Sequence, residues 1–196
     1  MNCPDFFNAV QTVTVYDPLA DKLGAAKDGI ITISYPEVVK LAGHSCPTVA
    51  GAYLMTLRGL EALYGDEMPV RGNIVVEMQE DIGDGVCGVT SNVISFITGA
   101  SGAGGFKGVG GFSARNNLLS FGKNVEAEVR MTRKDNGKSV DITYDPTSIP
   151  GNPMMMELMQ KTFSGTATEQ EEKDFHAMWQ GRVELVLNNK TVVVVK

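Results

Sequence analysis

The sequence predicts an α+β protein in which a mixed or antiparallel sheet packs against helices and a helical extension follows at the C-terminus. Some segments alternate like strands, others have apolar residues at every third or fourth position, and the two kinds do not alternate regularly along the chain. A turn-forming, proline-containing stretch at 145–153 then changes the composition. We therefore predict a core domain over residues 1–146 and a helical extension over 147–196.

The first half of the chain predicts two strands and two helices. Residues 29–35 are rich in β-branched side chains and predict a strand. Pro36 suits the first turn of a short helix over 36–42, because a missing N–H does no harm there. Apolar residues then recur every three or four positions over 47–64, which predicts a long helix ended by a glycine. Residues 72–80 predict the next strand.

The middle of the chain predicts a third main helix and a hairpin. Helical spacing continues over 86–98, and a glycine-rich loop occupies 99–111. Segments 124–133 and 138–144 flank an Asp-Asn-Gly turn, which is typical of a β-hairpin.

The C-terminal part predicts two helices and a short strand. Residues 153–163 favour one helix. A second helix, over 168–187, begins with a capping box formed by Thr168 and Glu171. The sequence TVVVVK at the end favours a short strand or a pairing edge.

Composition excludes several classes of protein. The 196 residues include 17 Lys and Arg against 23 Asp and Glu, which gives a net charge of −6. An acidic chain is poorly suited to nucleic acid or to an anionic membrane surface, because both attract clustered cations. No apolar run reaches the ~20 residues that cross a bilayer, and the first residues lack the pattern of a signal peptide. We expect a cytoplasmic protein with reduced cysteines.

The segment GHSCP at 43–47 carries the strongest chemical signal. If Pro47 is the first helical residue, Cys46 is the N-cap of the long helix. Its thiol then faces unpaired backbone N–H groups and the positive end of the helix dipole, which favour the thiolate. His44 lies two residues earlier on non-helical backbone, so both side chains can point to one place.

Cys87 begins the next predicted helix in the same way. If the two helix starts converge, His44, Cys46 and Cys87 form a mixed nitrogen–sulfur site that suits zinc, with a fourth position open to water or substrate. The alternative is that Cys87 is a small buried apolar residue. Carboxylates that precede it, among them Glu80 and Asp84, can supply a general base.

These residues resemble the FmdE family of formylmethanofuran dehydrogenase components, whose motif is approximately G-H-x-C-P-G followed by G-Y-R. The similarity covers roughly residues 36–133, about half the chain. Thr48 departs from the pattern, because the family has a glycine there. Further along, the family's order of a second cysteine at a helix start, Thr-Gly, Asn-Leu and Gly-Lys is matched by Cys87, Thr98-Gly99, Asn117-Leu118 and Gly122-Lys123.

The resemblance implies an α+β core, a homodimer, and a metal near the His/Cys cluster, with His44, Cys46 and Cys87 as ligands. Zinc or another divalent transition metal is implied, and haem is a less favoured cofactor. The family name implies an accessory module that binds a metal or a metal-bearing cofactor for a larger redox enzyme. The alternative is a zinc-dependent or thiol-based enzyme for a small molecule, with Cys46 and His44 as catalytic residues. A structural dimer with inert cysteines is the third possibility.

The glycine-rich loop raises the question of a phosphate site. It lacks the G-K-[ST] ending of a nucleotide loop and follows a helix rather than a strand, so a surface loop or a lid is favoured. Lys107, Arg115 and Lys123 are the nearby cations that can hold an anionic substrate or cofactor, and a solvated surface charge is the alternative for each.

Overall fold

The computed structural model describes residues 3–196 and confirms the α+β class. The helices in this part of the chain are α1 (Pro18–Leu23), α2 (Tyr35–Ala42), α3 (Pro47–Tyr64), α4 (Cys87–Thr98), α5 (Pro153–Ser164) and α6 (Glu169–Asn188). The strands are β1 (Val13–Tyr16), β2 (Ile30–Ile33), β3 (Ile74–Met78), β4 (Leu119–Ser120), β5 (Val129–Arg133), β6 (Ser139–Tyr144) and β7 (Val193–Val195).

The main sheet is mixed, as the sequence predicts. Its five strands lie in the order β4-β3-β5-β6-β7, and only the β3–β4 pair is parallel. Val76 pairs with Met131 across β3 and β5, and Met131 pairs with Val140 across β5 and β6. These residues are buried on one face of the sheet. A separate antiparallel pair, β1 and β2, forms a second small sheet.

Helix α3 is the central element of the core. Most of its residues are buried, and it packs against α4, α6 and strands β6 and β7. Two glycines allow the close contact with β6. A Cβ on Gly51 would lie 2.6 Å from Cζ of Tyr144, and one on Gly59 would lie 2.5 Å from Cδ1 of Ile142. A larger residue at either position would push β6 away from the helix.

The C-terminal part combines a helical hairpin with a strand of the main sheet. Helix α5 packs on α6 around a small cluster of its own, formed by Met155, Leu158 and Phe175. The second half of α6 belongs to the main core through Val183 and Val186. Strand β7 then pairs antiparallel with β6, which confirms the predicted pairing edge. The division at residue 146/147 stays a prediction.

The local elements follow the sequence signals closely. Helix α3 begins at Pro47 and ends before Gly65, and the capping box of Thr168 and Glu171 is formed. The turn between β5 and β6 has Gly137 at a φ of 73°, the left-handed conformation that glycine adopts easily. The sequence did not predict β1, β4 or α1. These elements are short, so their pattern is weak.

No helix in the described range, residues 3–196, combines the length and the apolar character needed to cross a membrane.

Candidate functional site

Cys46 occupies the predicted N-cap of α3. Its Sγ accepts a hydrogen bond from the backbone N–H of Val49 at 3.4 Å, and the side chain is half-buried. The backbone at Cys46 is extended, which is the usual conformation of an N-cap residue. The structure therefore confirms that this thiol faces the unpaired N–H groups at the start of the central buried helix.

Two other helices hold the loop that carries Cys46. The Ser45 hydroxyl lies 3.0 Å from the hydroxyl of Tyr35 on α2. The Ser45 carbonyl accepts a hydrogen bond from Nε1 of Trp179 at 2.9 Å, and Gln180 approaches the same oxygen at 3.5 Å. The C-terminal helix α6 thus contacts the loop directly, 134 residues away in sequence.

Tyr144, at the end of β6, lies against the same turn of α3. Its hydroxyl donates a hydrogen bond to the carbonyl of Pro47 at 3.0 Å, and its ring covers Gly51. Burial raises the pKa of Tyr144 to about 12; nearby Arg182 acts in the opposite direction. The phenol is therefore a neutral hydrogen-bond donor at physiological pH.

A cavity of about 280 Å³ lies between the starts of α3 and α4 and the sheet. We call it the thiol cavity. Thr48, in the first turn of α3, and Cys87, the first residue of α4, both line it. The other lining residues are Met55, Met78, Glu80, Gly85, Val86, Thr90, Glu128 and Tyr144. The first turns of the two helices therefore reach a common space, but neither Cys46 nor His44 lines it.

The Cys87 thiol differs from the Cys46 thiol in its surroundings. It is only 5% exposed and lies 3.6 Å from the carbonyl oxygen of Glu80, to which it donates. Burial raises the pKa of Cys87, and the charges of Glu80, Asp84, Asp81 and Glu128 raise it further. The helix start alone favours a thiolate, but here burial and carboxylates keep the group a thiol.

Two carboxylates at the rim give the thiol cavity its negative character. Glu80 and Glu128 both line it and both reach solvent. Partial desolvation raises the pKa of Glu128, the charge of Glu80 adds to this, and the N–H of Tyr144 that bonds Glu128 at 3.2 Å opposes it. Glu80 and Glu128 repel each other and also oppose ionisation of the Cys87 thiol. A cation between them would offset both effects, so the cavity favours a positively charged ligand.

His44 faces a different cavity. Its ring is exposed, and Nδ1 lies 3.0 Å from the carbonyl oxygen of Ala42. Because a carbonyl only accepts, Nδ1 is the donor in this contact, and Nε2 is the ring nitrogen that can face a ligand. The cavity, of about 440 Å³, lies between α2 and α4 and is lined by His44 with Leu41, Ala42, Val89, Asn92, Val93, Ser95 and Phe96.

The predicted ligands are thus not assembled into one site. His44 and Cys87 line separate cavities, and Cys46 is bonded to the backbone of its own helix. Within residues 3–196, no group of three or more His, Cys, Asp or Glu side chains is arranged to hold a metal ion. The donor set therefore does not fit a closed four-ligand zinc site, and metal binding by His44, Cys46 and Cys87 stays a proposal.

The three predicted cations take different positions. Arg115 is only 7% exposed, and its Nη2 lies 2.6 Å from Oδ1 of Asp17, so it is not a solvated charge. Lys107 and Lys123 are exposed. None of the three lines the thiol cavity or the His44 cavity. Binding of an anionic substrate or cofactor by these three cations, in either cavity, stays a prediction.

Sequence reasoning missed Glu128 and Tyr144. Both come from the region of the β5–β6 hairpin, and they reach the thiol cavity because β5 pairs with β3 and β6 packs on α3. No motif marks either residue. The glycine at position 51 is the only local signal, since it makes room for the Tyr144 ring.

The fold and the site define a small α+β protein with a cysteine at the start of each of two helices, beside an acidic cavity. The family comparison agrees with the resemblance found in the sequence. The chain belongs to the FmdE family, described as "FmdE, Molybdenum formylmethanofuran dehydrogenase operon", whose model matches residues 41–196. The match includes the GHSCP loop and extends through the C-terminal hairpin to β7. None of the curated proteins compared with the chain matches it.

Proposed function

We propose that this protein is an accessory, ligand-binding module associated with a formylmethanofuran dehydrogenase in one-carbon redox metabolism. Its ligand is zinc or another divalent transition metal, or a cofactor that carries such a metal. Family membership supports the association. The observation that carries ligand binding is the thiol cavity, where the Cys87 thiol and the carboxylates of Glu80 and Glu128 line one space.

The small number of protein donors favours a metal that arrives with its own ligands over a metal held by the protein alone. A thiolate and a carboxylate are both ligands for zinc, but a stable site needs three or four protein donors. The described residues supply no group of three. A metal held by Cys87 and one carboxylate must therefore bring its remaining donors with it, as water or as part of a cofactor. Bound there, it would supply Lewis-acid chemistry.

The protein's own residues would shape such a complex. Glu128 and Glu80 would compensate the positive charge, and Cys87 would release its proton on binding, because metals bind the thiolate. The Tyr144 hydroxyl would keep its hydrogen bond to the Pro47 carbonyl, which would hold the first turn of α3 in place. Cys46 and His44, on the adjoining loop, are the further candidates for ligands.

Metal analysis with cysteine variants tests this proposal. We expect the purified protein to bind cobalt(II) as a substitute for zinc and to show sulfur-to-cobalt charge-transfer absorption, which requires a thiolate ligand. Cys87→Ser should abolish that absorption, and Glu128→Gln should weaken cobalt binding about tenfold, as is typical of lost metal-site partners. Cys3→Ser is the matched control and should bind like the wild type.

The same titration distinguishes the roles of the loop residues. If Cys46→Ser and His44→Ala also lose the signal, all three predicted ligands hold the metal. If only Cys87→Ser loses it, the thiol cavity alone is the site. A wild-type protein that gives no charge-transfer band, or a Cys87→Ser variant that keeps it, would overturn metal binding at Cys87.

A thiol-based enzyme is the alternative function, and the position of Cys46 is the observation that favours it. Its sulfur accepts a backbone N–H at a helix start and is partly accessible, which is the arrangement of many reactive cysteines. His44, two residues before it, is the candidate general base. In this case Cys46 acts as the nucleophile on a small molecule.

Alkylation by iodoacetamide separates the two cysteines. At pH 7 we expect Cys87 to react far more slowly than Cys46, because Cys87 is buried and its pKa is raised above the usual 9.0. Only the thiolate reacts, so the Cys87 rate should still be rising at pH values where an ordinary thiol levels off. Mass spectrometry of each labelled peptide measures this. Equal rates for both cysteines at pH 7 would mean that Cys87 is neither buried nor raised in pKa in solution.

We also propose the homodimer that the family resemblance implies. Phe163 on α5 is 81% exposed, and Met154 and Met156 on the same helix are exposed as well. Light scattering during size-exclusion chromatography should give twice the mass of 21.0 kDa. Phe163→Glu should shift the protein to the monomer if α5 lies in the interface, while Leu23→Glu, at another exposed apolar residue, should not.

A further inference from the structure

A third cavity has the opposite charge to the thiol cavity. It has a volume of about 230 Å³ and shares no lining residue with either cavity described above. Arg71 and Lys134 line it, and no acidic side chain does. Its other lining residues are Pro18, Val70, Gly72, Asn73, Gly111, Phe112, Ser113 and Ala114. This cationic lining is notable because the chain as a whole has a net charge of −6.

The end of the glycine-rich loop supplies free backbone donors to this cavity. A pair of hydrogen bonds between Val109 and Phe112, at 3.1 and 3.0 Å, closes a tight turn. Gly111, within this turn, and Ser113, directly after it, have positive φ values of 83° and 55°. The N–H groups of Gly111, Ser113 and Ala114 donate no hydrogen bond within the described part of the chain. Of these, the N–H groups of Ser113 and Ala114 are consecutive, and consecutive free backbone N–H groups can form concave anion sites.

A buried arginine beside the cavity has a donor without a partner. Arg115 and Arg71 both bind the single carboxylate of Asp17, so this cluster carries one uncompensated positive charge. Nε of Arg115 is buried and makes no hydrogen bond in the described structure. It lies 3.6 Å from where a Cβ on Gly72 would be, and Gly72 lines the cavity. Unpaired buried charged donors are rare in native proteins.

Lys134 is held at the rim of the cavity by the sheet. Its backbone N–H donates to the carbonyl of Asn73 at 3.0 Å, and Asn73 is itself a lining residue. The side chain is exposed, and no carboxylate of the described residues lies within ion-pair distance of it. The ammonium group is therefore free to bind a ligand that enters the cavity.

From these contacts we infer an oxyanion site, in which the loop N–H groups and Lys134 bind a phosphate or carboxylate group of a small molecule and the excess charge of Arg71 and Arg115 strengthens its attraction. The site is independent of the thiol cavity and of the function proposed for it. The anion thus binds at the end of the glycine-rich loop and at the residues that follow it, 111–114, and not in a nucleotide-type loop.

Titration with inorganic phosphate tests the site. We measure binding by calorimetry at constant ionic strength, with chloride as the replaced anion. Lys134→Gln should weaken phosphate binding at least fivefold. Lys107→Gln is the matched control, because Lys107 is exposed on the same glycine-rich loop and does not line the cavity. Its affinity should equal that of the wild type, and so should that of Cys87→Ser.

The outcomes separate the possible ligands. Competition by acetate would identify a general oxyanion site, and phosphate binding that acetate does not affect would identify a phosphate site; both support the inference. Absence of phosphate binding would overturn it, and so would equal affinities for Lys134→Gln and Lys107→Gln. Because the experiment uses no metal, its failure leaves the proposal for the thiol cavity untouched.

Discussion

Replacing Asp17 by alanine is expected to lower the free energy of unfolding by about 3–5 kcal/mol, the usual cost of removing one partner from a buried ion pair. Asp17 is buried, caps helix α1 through the N–H groups of Leu19 and Ala20, and binds Arg115 at 2.6 Å and Arg71 at 3.1 Å. Its removal leaves two guanidinium groups close together without a carboxylate. Chemical denaturation followed by circular dichroism measures the change.

The control for this variant is Asp66→Ala. Asp66 lies in an exposed turn, so its loss should change stability by less than about 0.5 kcal/mol. If Asp17→Ala were as stable as Asp66→Ala, Asp17 would not hold the two arginines in solution, and the buried ion-pair cluster would contribute nothing to stability.

The same residue makes stability depend on pH in a defined direction. Burial alone raises the pKa of Asp17, but hydrogen bonds from Arg115, Ala20 and Arg71 outweigh it, so the net pKa is below the usual 3.8. A group whose pKa is lowered by folding stabilises the protein above its unfolded pKa. This contribution is therefore complete near neutral pH and is lost as the pH falls below about 4. The Asp17→Asn variant should lack that part of the acid dependence.

Replacing Trp179 by alanine is expected to cost about 3 kcal/mol of stability and to loosen the loop that carries Cys46. Trp179 packs on Phe175, with ring centroids 5.7 Å apart, and its Nε1 binds the Ser45 carbonyl. The residue therefore connects the small core of the C-terminal hairpin to the GHSCP loop. Chemical denaturation gives the first quantity, and the rate of Cys46 alkylation gives the second.

Two variants make this prediction specific. Trp179→Phe keeps a ring but removes the hydrogen bond, so it should cost only about 1 kcal/mol and still raise the Cys46 alkylation rate. Leu185→Ala, at an exposed position of the same helix, should change neither quantity. If Trp179→Phe left the reactivity of Cys46 unchanged, the hydrogen bond to Ser45 would have no role in positioning the loop.

Local signals in the sequence were enough for most of the fold. The apolar spacing over 47–64 and the proline at position 47 determine where α3 begins and which residue caps it, because periodicity and capping act within a few residues. The Asp-Asn-Gly turn determined the β5–β6 hairpin for the same reason. The short strands β1 and β4 depend on pairing with distant segments, and their own residues give too little signal.

Part of the candidate site could also be identified from neighbouring residues in the sequence. The sequence alone identified His44, Cys46 and Cys87 and placed Cys46 and Cys87 at helix starts, since each assignment depends on its immediate neighbours. It identified the local carboxylates Glu80 and Asp84 but not Glu128, which lies far along the chain and reaches the cavity only through sheet pairing. Burial and these carboxylates raise the pKa of Cys87, so at neutral pH it is a thiol.

Family membership, the α+β class and the two helix-start cysteines were thus determined by the sequence itself. Only the tertiary structure decided which side chains share a space. It separated His44 from Cys87, brought Tyr144 onto Gly51, and buried Arg115 against Asp17, 98 residues away. The physical reason is that helix starts and turns are set by neighbours in the chain, whereas cavities and buried charges are set by how strands pair and helices pack.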